Sequence, residues 1–162
     1  MQLSEKHIIN LNHSLYKECD KLCFNSKNIY NRSMFLIKQD YVNNKSYDTL
    51  NNLYNVIKHE ECYKLLPPKV SQQTLRNVSS IWKSYFALIK SKKQSHVGEP
   101  KFLNKTNGRF VTTFTNQAIS KKVYDKTHKI KLSQCNIEFY TKVNEFSKIN
   151  CVRIIPRMDS YT

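Results

Sequence analysis

Apolar and small residues recur at Leu15, Cys19, Leu22, Ser26, Ile29, Met34, Ile37 and Tyr41. These steps of three to five residues predict one long amphipathic helix from Ser14 to about Tyr41, with Ser14 as its N-cap. The opposite face carries Lys17, Asp20, Lys21, Asn25, Asn28 and Arg32 and reads as a polar, mostly basic outer side, whether solvated or in contact with a partner. A shorter helical pattern runs from Tyr47 through Leu50, Leu53 and Tyr54 to Ile57 and ends before Leu65. Pro67 and Pro68 cannot continue a helix but suit the first turn of a new one, which the period of Val70, Thr74, Val78, Ile81, Trp82, Tyr85, Phe86 and Ile89 then predicts. Lys90, Lys92 and Lys93 close it, where the negative end of the helix dipole favours cations; phosphate binding would account for them as well.

After Ser95 the period changes from 3.6 to 2. Both glycines, Gly98 and Gly108, and Pro100 lie in a polar stretch, and short alternating runs follow at 109–115, 117–120, 129–133, 136–141 and 151–157. In the first run Phe110, Thr112 and Phe114 are expected on one face and Val111 and Thr113 on the other. Helices followed by strands predict an α+β fold: an N-terminal bundle of three helices, then a small antiparallel β-barrel or sheet. The expected division is a short barrel strand segment at 1–13, a helical lobe at 14–95 and a β-rich part at 96–162.

Charge narrows the function classes. The chain has 162 residues, 27 Lys plus Arg against 12 Asp plus Glu, and a formal charge of +15. Lysine abundance with only two glycines resembles compositional drift, yet drift would also enrich glutamate, so the excess favours a polyanionic partner. No run approaches the roughly 20 apolar residues that span a bilayer, so no membrane partner is expected. Five irregularly spaced cysteines (Cys19, Cys23, Cys62, Cys135, Cys151) do not form a disulfide framework and point to a reducing, cytoplasmic setting.

Chemistry-bearing patterns are sparse. No pair of closely spaced metal-binding cysteines, glycine-rich phosphate loop, nucleophile signature or group of converging carboxylates is apparent, so neither a catalytic residue, a metal nor a cofactor is expected. Trp82, Tyr85, Phe86, Phe102, Phe110, Phe114, Phe139 and Tyr140 could stack on bases, although their spacing favours a core role for most. The better contact candidates are Lys69, Gln72, Gln73, Arg76 and Asn77 at the start of the long second helix, since Gln, Asn and Arg pair with base edges. Lys101, Lys105, Arg109, Lys121 and Lys122 flank the helix-to-strand boundary and suit phosphates.

The order of LCFNSKNIYNRSMFLIKQDY, YKLLPPKVSQQTLRNVSSIWKSYFALIK, GEPKFL and IKLS resembles the N-terminal half of TnpB-like proteins. These are the OrfB products of bacterial insertion sequences, described as transposases and related to compact type V CRISPR effectors. The resemblance covers residues 3–157 and is most specific at Ile29, Tyr30 and Asn31, at Leu66 to Pro68 with Gln72 and Gln73, and at Pro100 to Phe102. It implies a helical recognition lobe inserted into a wedge-type barrel, gripping a guide-like RNA, DNA or both. It places Lys69, Gln72, Gln73, Arg76 and Asn77 in the lobe facing nucleic acid, with Asn31 and Arg32 nearby. The family's RuvC-like nuclease half is expected to be missing here, since Asp159 lacks the strand context of its first catalytic acid; cleavage is therefore not carried over. A separately encoded nuclease half would be a further partner, with 151–155 as its docking edge. The alternatives are a non-functional packed remnant and a nuclease-free RNA-binding regulator.

Overall fold

The computed structural model describes residues 3–44, 50–91 and 97–162. Tyr47, Asp48, Lys92, Lys93, Ser95 and the boundary expected at 95/96 lie outside them. The elements in order are β1 (Ile9–Asn10), α1 (Tyr16–Asn44), α2 (Leu50–Ile57), α3 (Glu61–Lys64), α4 (Pro68–Ser91), β2 (Thr112–Thr115), α5 (Lys121–Thr127), β3 (Lys129–Lys131), β4 (Glu138–Tyr140), β5 (Cys151–Ile154) and β6 (Ser160–Tyr161). Two 3-10 turns, Asn116–Ala118 and Phe146–Lys148, complete the series. The fold is α+β, as the change of period predicts.

Helix α1 starts two residues later than expected, and its entry is held by His13. The imidazole Nδ1 accepts from the Leu15 N–H (3.1 Å) and the carbonyl from the Tyr16 N–H (3.0 Å). Pro68 opens α4 as expected, with the Pro67 carbonyl accepting from Val70 and Ser71. The predicted apolar faces of α1 and α4 meet, and small residues let them approach closely. Ser26 Oγ lies 3.2 Å from Thr74 Oγ1 and donates to the Val111 carbonyl (2.9 Å), tying α1, α4 and the start of β2 into one node. Trp82 is fully buried, its Nε1 3.0 Å from Met34 Sδ and its ring against Tyr85 and Phe86. Ile89 and Tyr41, at the far ends of the two stripes, remain exposed.

The outer side of α1 is solvated only in part: Lys17 and Lys21 are exposed, but further along the helix a loop covers it. Asn25 is buried and Lys27 is only 1% exposed, because the irregular segment 101–111 runs antiparallel along it. Tyr30 Oη donates to the Lys101 carbonyl (2.9 Å), Asn31 clamps the Leu103 N–H and carbonyl (both 2.9 Å), and Lys27 Nζ donates to the Lys105 carbonyl (2.5 Å). The Phe110 N–H then donates to the Cys23 carbonyl (3.1 Å). Gly108 turns the segment back on itself, and a Cβ there would fall against the Asn104 backbone.

The strands form three two-stranded antiparallel pairs, β1 with β6, β2 with β5 and β3 with β4, and they do not close into a barrel. The run 117–120, expected as a strand, is instead a 3-10 turn followed by a single bridge from Ile119 to Leu132, and α5 fills the space after it. Within β2 the side chains of Thr112 and Phe114 lie on one face and that of Thr113 on the other, as strand geometry requires, and both faces are buried. Helices cover one side of β2 and the rest of the β-rich part covers the other, so neither face demands polar residues.

Replacing Trp82 with alanine should cost about 3–5 kcal/mol in a denaturant titration. Asn31→Ala should cost about 1–3 kcal/mol, because it strands the Leu103 N–H and carbonyl together.

Candidate nucleic-acid interface

Four of the sequence-nominated residues come together. Lys69, Gln72, Gln73 and Arg76 project from the first three turns of α4 into a polar groove of about 440 Å³. The opposing wall is built from Thr115, Asn116 and Gln117 at the end of β2 and Asn150 just before β5. The Asn116 N–H donates to the Asn150 carbonyl (3.1 Å), which fixes the two halves of this wall to each other.

The groove owes its shape to α4. Val70, Ser71, Thr74 and Leu75 are buried, so helical geometry turns Lys69, Gln72, Gln73 and Arg76 outward. Ser71 Oγ donates to the Tyr63 carbonyl (2.7 Å) and Tyr63 Oη to the Pro68 carbonyl (3.3 Å), which locks the first turn against α3. Burial pushes the Tyr63 phenol up to about 12, so it stays a neutral donor. Gln73 Nε2 donates to Asn77 Oδ1 (3.3 Å), so Asn77 orients Gln73 from outside the groove.

No carboxylate among the described residues lines this groove. Its walls offer two cationic ends, five carboxamides and a hydroxyl, and the N-terminal end of α4 adds the positive pole of the helix dipole. Carboxamides present a donor and an acceptor side by side, which matches base edges, while Lys69 and Arg76 match phosphates.

The remaining nominated residues have other placements. Asn31 holds segment 101–111 through Leu103. Arg32 makes a two-pronged pair with Glu60, with Nε and Nη2 2.8–3.0 Å from the carboxylate oxygens. Arg109 pairs with Asp20, Nε to Oδ1 at 2.8 Å and Nη2 to Oδ2 at 3.2 Å, and also donates to the Thr106 and Gly108 carbonyls. These three side chains are therefore engaged within the chain. Lys101 and Lys105 are exposed beside α1 while their carbonyls accept from Tyr30 and Lys27. Lys121 pairs with Asp125 (2.6 Å) on the outer face of α5, and Lys122 is exposed next to it. Of the aromatic candidates, Phe102 and Tyr140 are exposed, each beside a lysine, whereas Trp82 and Phe114 are fully buried.

The residues that sequence reading missed are Thr115, Asn116, Gln117 and Asn150. Their signal was the polar TNQ step at 115–117, which was split between two expected strands. Cys19 and Cys23 take core roles, while Cys62, Cys135 and Cys151 are half-buried; burial pushes Cys19 up to about 11 and Cys23 up to about 12, and Cys23 receives the Thr112 hydroxyl at 3.6 Å. Among the described residues no three His, Cys, Asp or Glu side chains converge into a metal-sized group.

Neither a family model nor a curated protein matches this chain. The groove therefore carries the functional argument on its own geometry.

Asp20 links the stability of the seam to pH. The bond from the Arg109 guanidinium holds its carboxyl below the usual range against the opposing effect of burial, and the Tyr161 hydroxyl (2.6 Å) adds to this. A depressed carboxylate contributes stability that is present above its unfolded pKa of about 3.9 and is lost as pH falls through the folded value. Asp20→Asn should thus be less stable than the parent at neutral pH and lose less stability between about pH 5 and pH 2, as read by urea unfolding at each pH.

Proposed function

We propose that this chain is a nucleic-acid-binding protein whose contact surface is the groove between α4 and the ends of β2 and β5. The observation that carries this reading is the convergence of Lys69, Gln72, Gln73 and Arg76 on a facing wall of Asn116, Gln117 and Asn150 with no acid among the described lining residues. In this reading Lys69 and Arg76 hold phosphates and the carboxamides meet base edges. Lys101 and Lys105, exposed on segment 101–111, extend the positive surface without lining the groove.

We further propose that the chain is the recognition-lobe and wedge part of a TnpB-like protein, binding a guide-like RNA, DNA or both, with no catalytic centre of its own within these residues. Two of the blocks that carry the resemblance support this by bonding to each other: Tyr30 and Asn31 hold the backbone at Lys101 and Leu103. A second reading, an inert packed remnant, draws on Asn31, Arg32 and Arg109, whose polar groups are taken up inside the chain.

Salt titration separates the two. Binding of labelled duplex DNA, single-stranded RNA and a structured RNA should be followed between 50 and 200 mM salt. A binder with six or more phosphate contacts loses roughly 10³-fold or more in affinity over that range, whereas an inert remnant shows weak binding without selectivity. Lys69→Ala with Arg76→Ala should weaken binding and reduce the salt slope by about 1 per cation removed. Gln72→Ala with Gln73→Ala should lower discrimination between sequences and leave that slope in place. All four positions are at least partly exposed, so the unfolding midpoint should barely move.

A further inference from the structure

On the far side of β5 lies a second groove, of about 800 Å³ and mainly apolar. Leu15, Cys19, Ile130 and Leu132 are among the residues lining it, and the N-terminal stretch 3–9 forms one wall. That stretch is pinned by Glu5, which accepts from Thr141 Oγ1 (2.8 Å) and the Lys142 N–H (3.1 Å), and by His7 packed on Phe139. The other walls are consecutive residues, 137–141 along β4 and 148–155 along β5. A strand that shows a cavity its face contributes alternate residues; one that contributes every residue shows the cavity its edge.

The hydrogen-bond register agrees. Because Asn116 donates to the Asn150 carbonyl, the ladder bonds between β2 and β5 fall at Phe114 with Val152 and Thr112 with Ile154. The main-chain groups of Cys151, Arg153 and Ile155 then point away from β2. At Ile155 both are taken by Thr162 (2.7 and 3.0 Å), while those of Cys151 and Arg153 have no partner among the described residues. On β4, Leu132 donates to the Ile137 carbonyl and Thr141 to the His128 carbonyl, so Glu138 and Tyr140 point their main-chain groups outward in the same way. Two strand edges with matching two-residue spacing thus border one apolar groove.

The charges around it are one-sided. The carboxylates of Glu5 and Glu138 are engaged by Thr141 and by Lys129 (3.1 Å). Lys6, Arg153 and Arg157 are exposed on the same walls, and their side chains have no partner among the described residues.

We propose that this groove is a strand acceptor: it takes one extended polypeptide segment of alternating apolar and acidic residues, which hydrogen-bonds to the open edges of β4 and β5 and sets its carboxylates against Lys6, Arg153 and Arg157. Main-chain bonds supply affinity in such strand addition, and the alternating side chains supply selectivity. The inference stands apart from the nucleic-acid reading, since it uses a different groove. It extends the docking role expected for 151–155 by naming the second edge and the chemistry of the partner.

The test uses a capped peptide of about six residues, a common strand length, alternating valine and glutamate. Anisotropy should report binding, and amide exchange followed by NMR should slow about tenfold or more at Glu138, Tyr140, Cys151 and Arg153. A valine and lysine peptide should bind about tenfold or more weakly, and Arg153→Glu with Arg157→Glu, both exposed positions, should reverse the preference. An N-methylated valine and glutamate peptide, which lacks half its donors, should lose most of the affinity. Unchanged exchange at the four amides, or equal binding of the N-methylated peptide, overturns the proposal. Protection that rises with protein concentration alone would assign the groove to a second copy, and stronger protection by an oligonucleotide would assign it to nucleic acid; either result also overturns it.

Discussion

The structure depends on the seam between α1 and the backbone of 101–111. An irregular segment of that length carries a row of main-chain donors and acceptors, and burying them unpaired would cost more than the fold can spare. Helix α1 supplies the partners one turn after another: Arg109 meets Asp20, Phe110 meets Cys23, and Lys27, Tyr30 and Asn31 reach the carbonyls from Lys105 back to Lys101. Polar residues in the middle of a long helix lower its intrinsic stability. Here they make a rope of loop behave as a packed layer, and β2 leaves the seam already positioned between the helices and the remaining strands.

That positioning places the polar groove. Once Ser26 has fixed Val111 against Thr74, β2 runs past the face of α4 and ends with Thr115, Asn116 and Gln117 opposite Gln72 and Gln73. The same geometry sorts the cations. Lys27, Arg32 and Arg109 serve carbonyls and carboxylates inside the chain, so the formal charge overstates what a partner meets. Burial, with Arg109 and Lys105 close by, lowers the Lys27 pKa, which marks that corner as a place where positive charge is tolerated for structural return. Lys69, Arg76, Lys101 and Lys105 are among the exposed cations that remain for a partner.

Legibility in the sequence followed period and length. The long stripes from Leu15 to Ile37 and from Val70 to Trp82 were legible because burial on one face repeats over several turns, and Pro68 marked a helix start by its chemistry alone. Asn25 and Lys27 were not, since a helix covered by a loop looks from its sequence like one covered by water. The strands were legible as a change of period and illegible as a barrel. Runs of two to four residues carry too little alternation to set pairing partners, and 117–120, Gln-Ala-Ile-Ser, begins in a 3-10 turn and keeps only the bridge at Ile119. The α4 half of the polar groove was readable because Lys69, Gln72, Gln73 and Arg76 sit at helical spacing. Its other half was not, since the proximity of residue 150 to residue 116 is a fact of pairing between β2 and β5.

Short strands therefore have two consequences that belong together. Where β2 ends, Thr115 and the 3-10 turn after it form a polar wall facing α4 while Asn116 still bonds to Asn150. Where β4 and β5 end without meeting, their edges stay open across an apolar groove that the N-terminal stretch covers only on one side. A fully closed barrel would remove its edges but would leave no such gap to fill. Thr162 already bonds to Ile155 on the outer edge of β5, so this chain uses strand addition on itself at one end of that edge. The neighbouring Cys151 and Arg153 present the same geometry one step further along, and the physics that seats Thr162 applies to whatever extended segment reaches them.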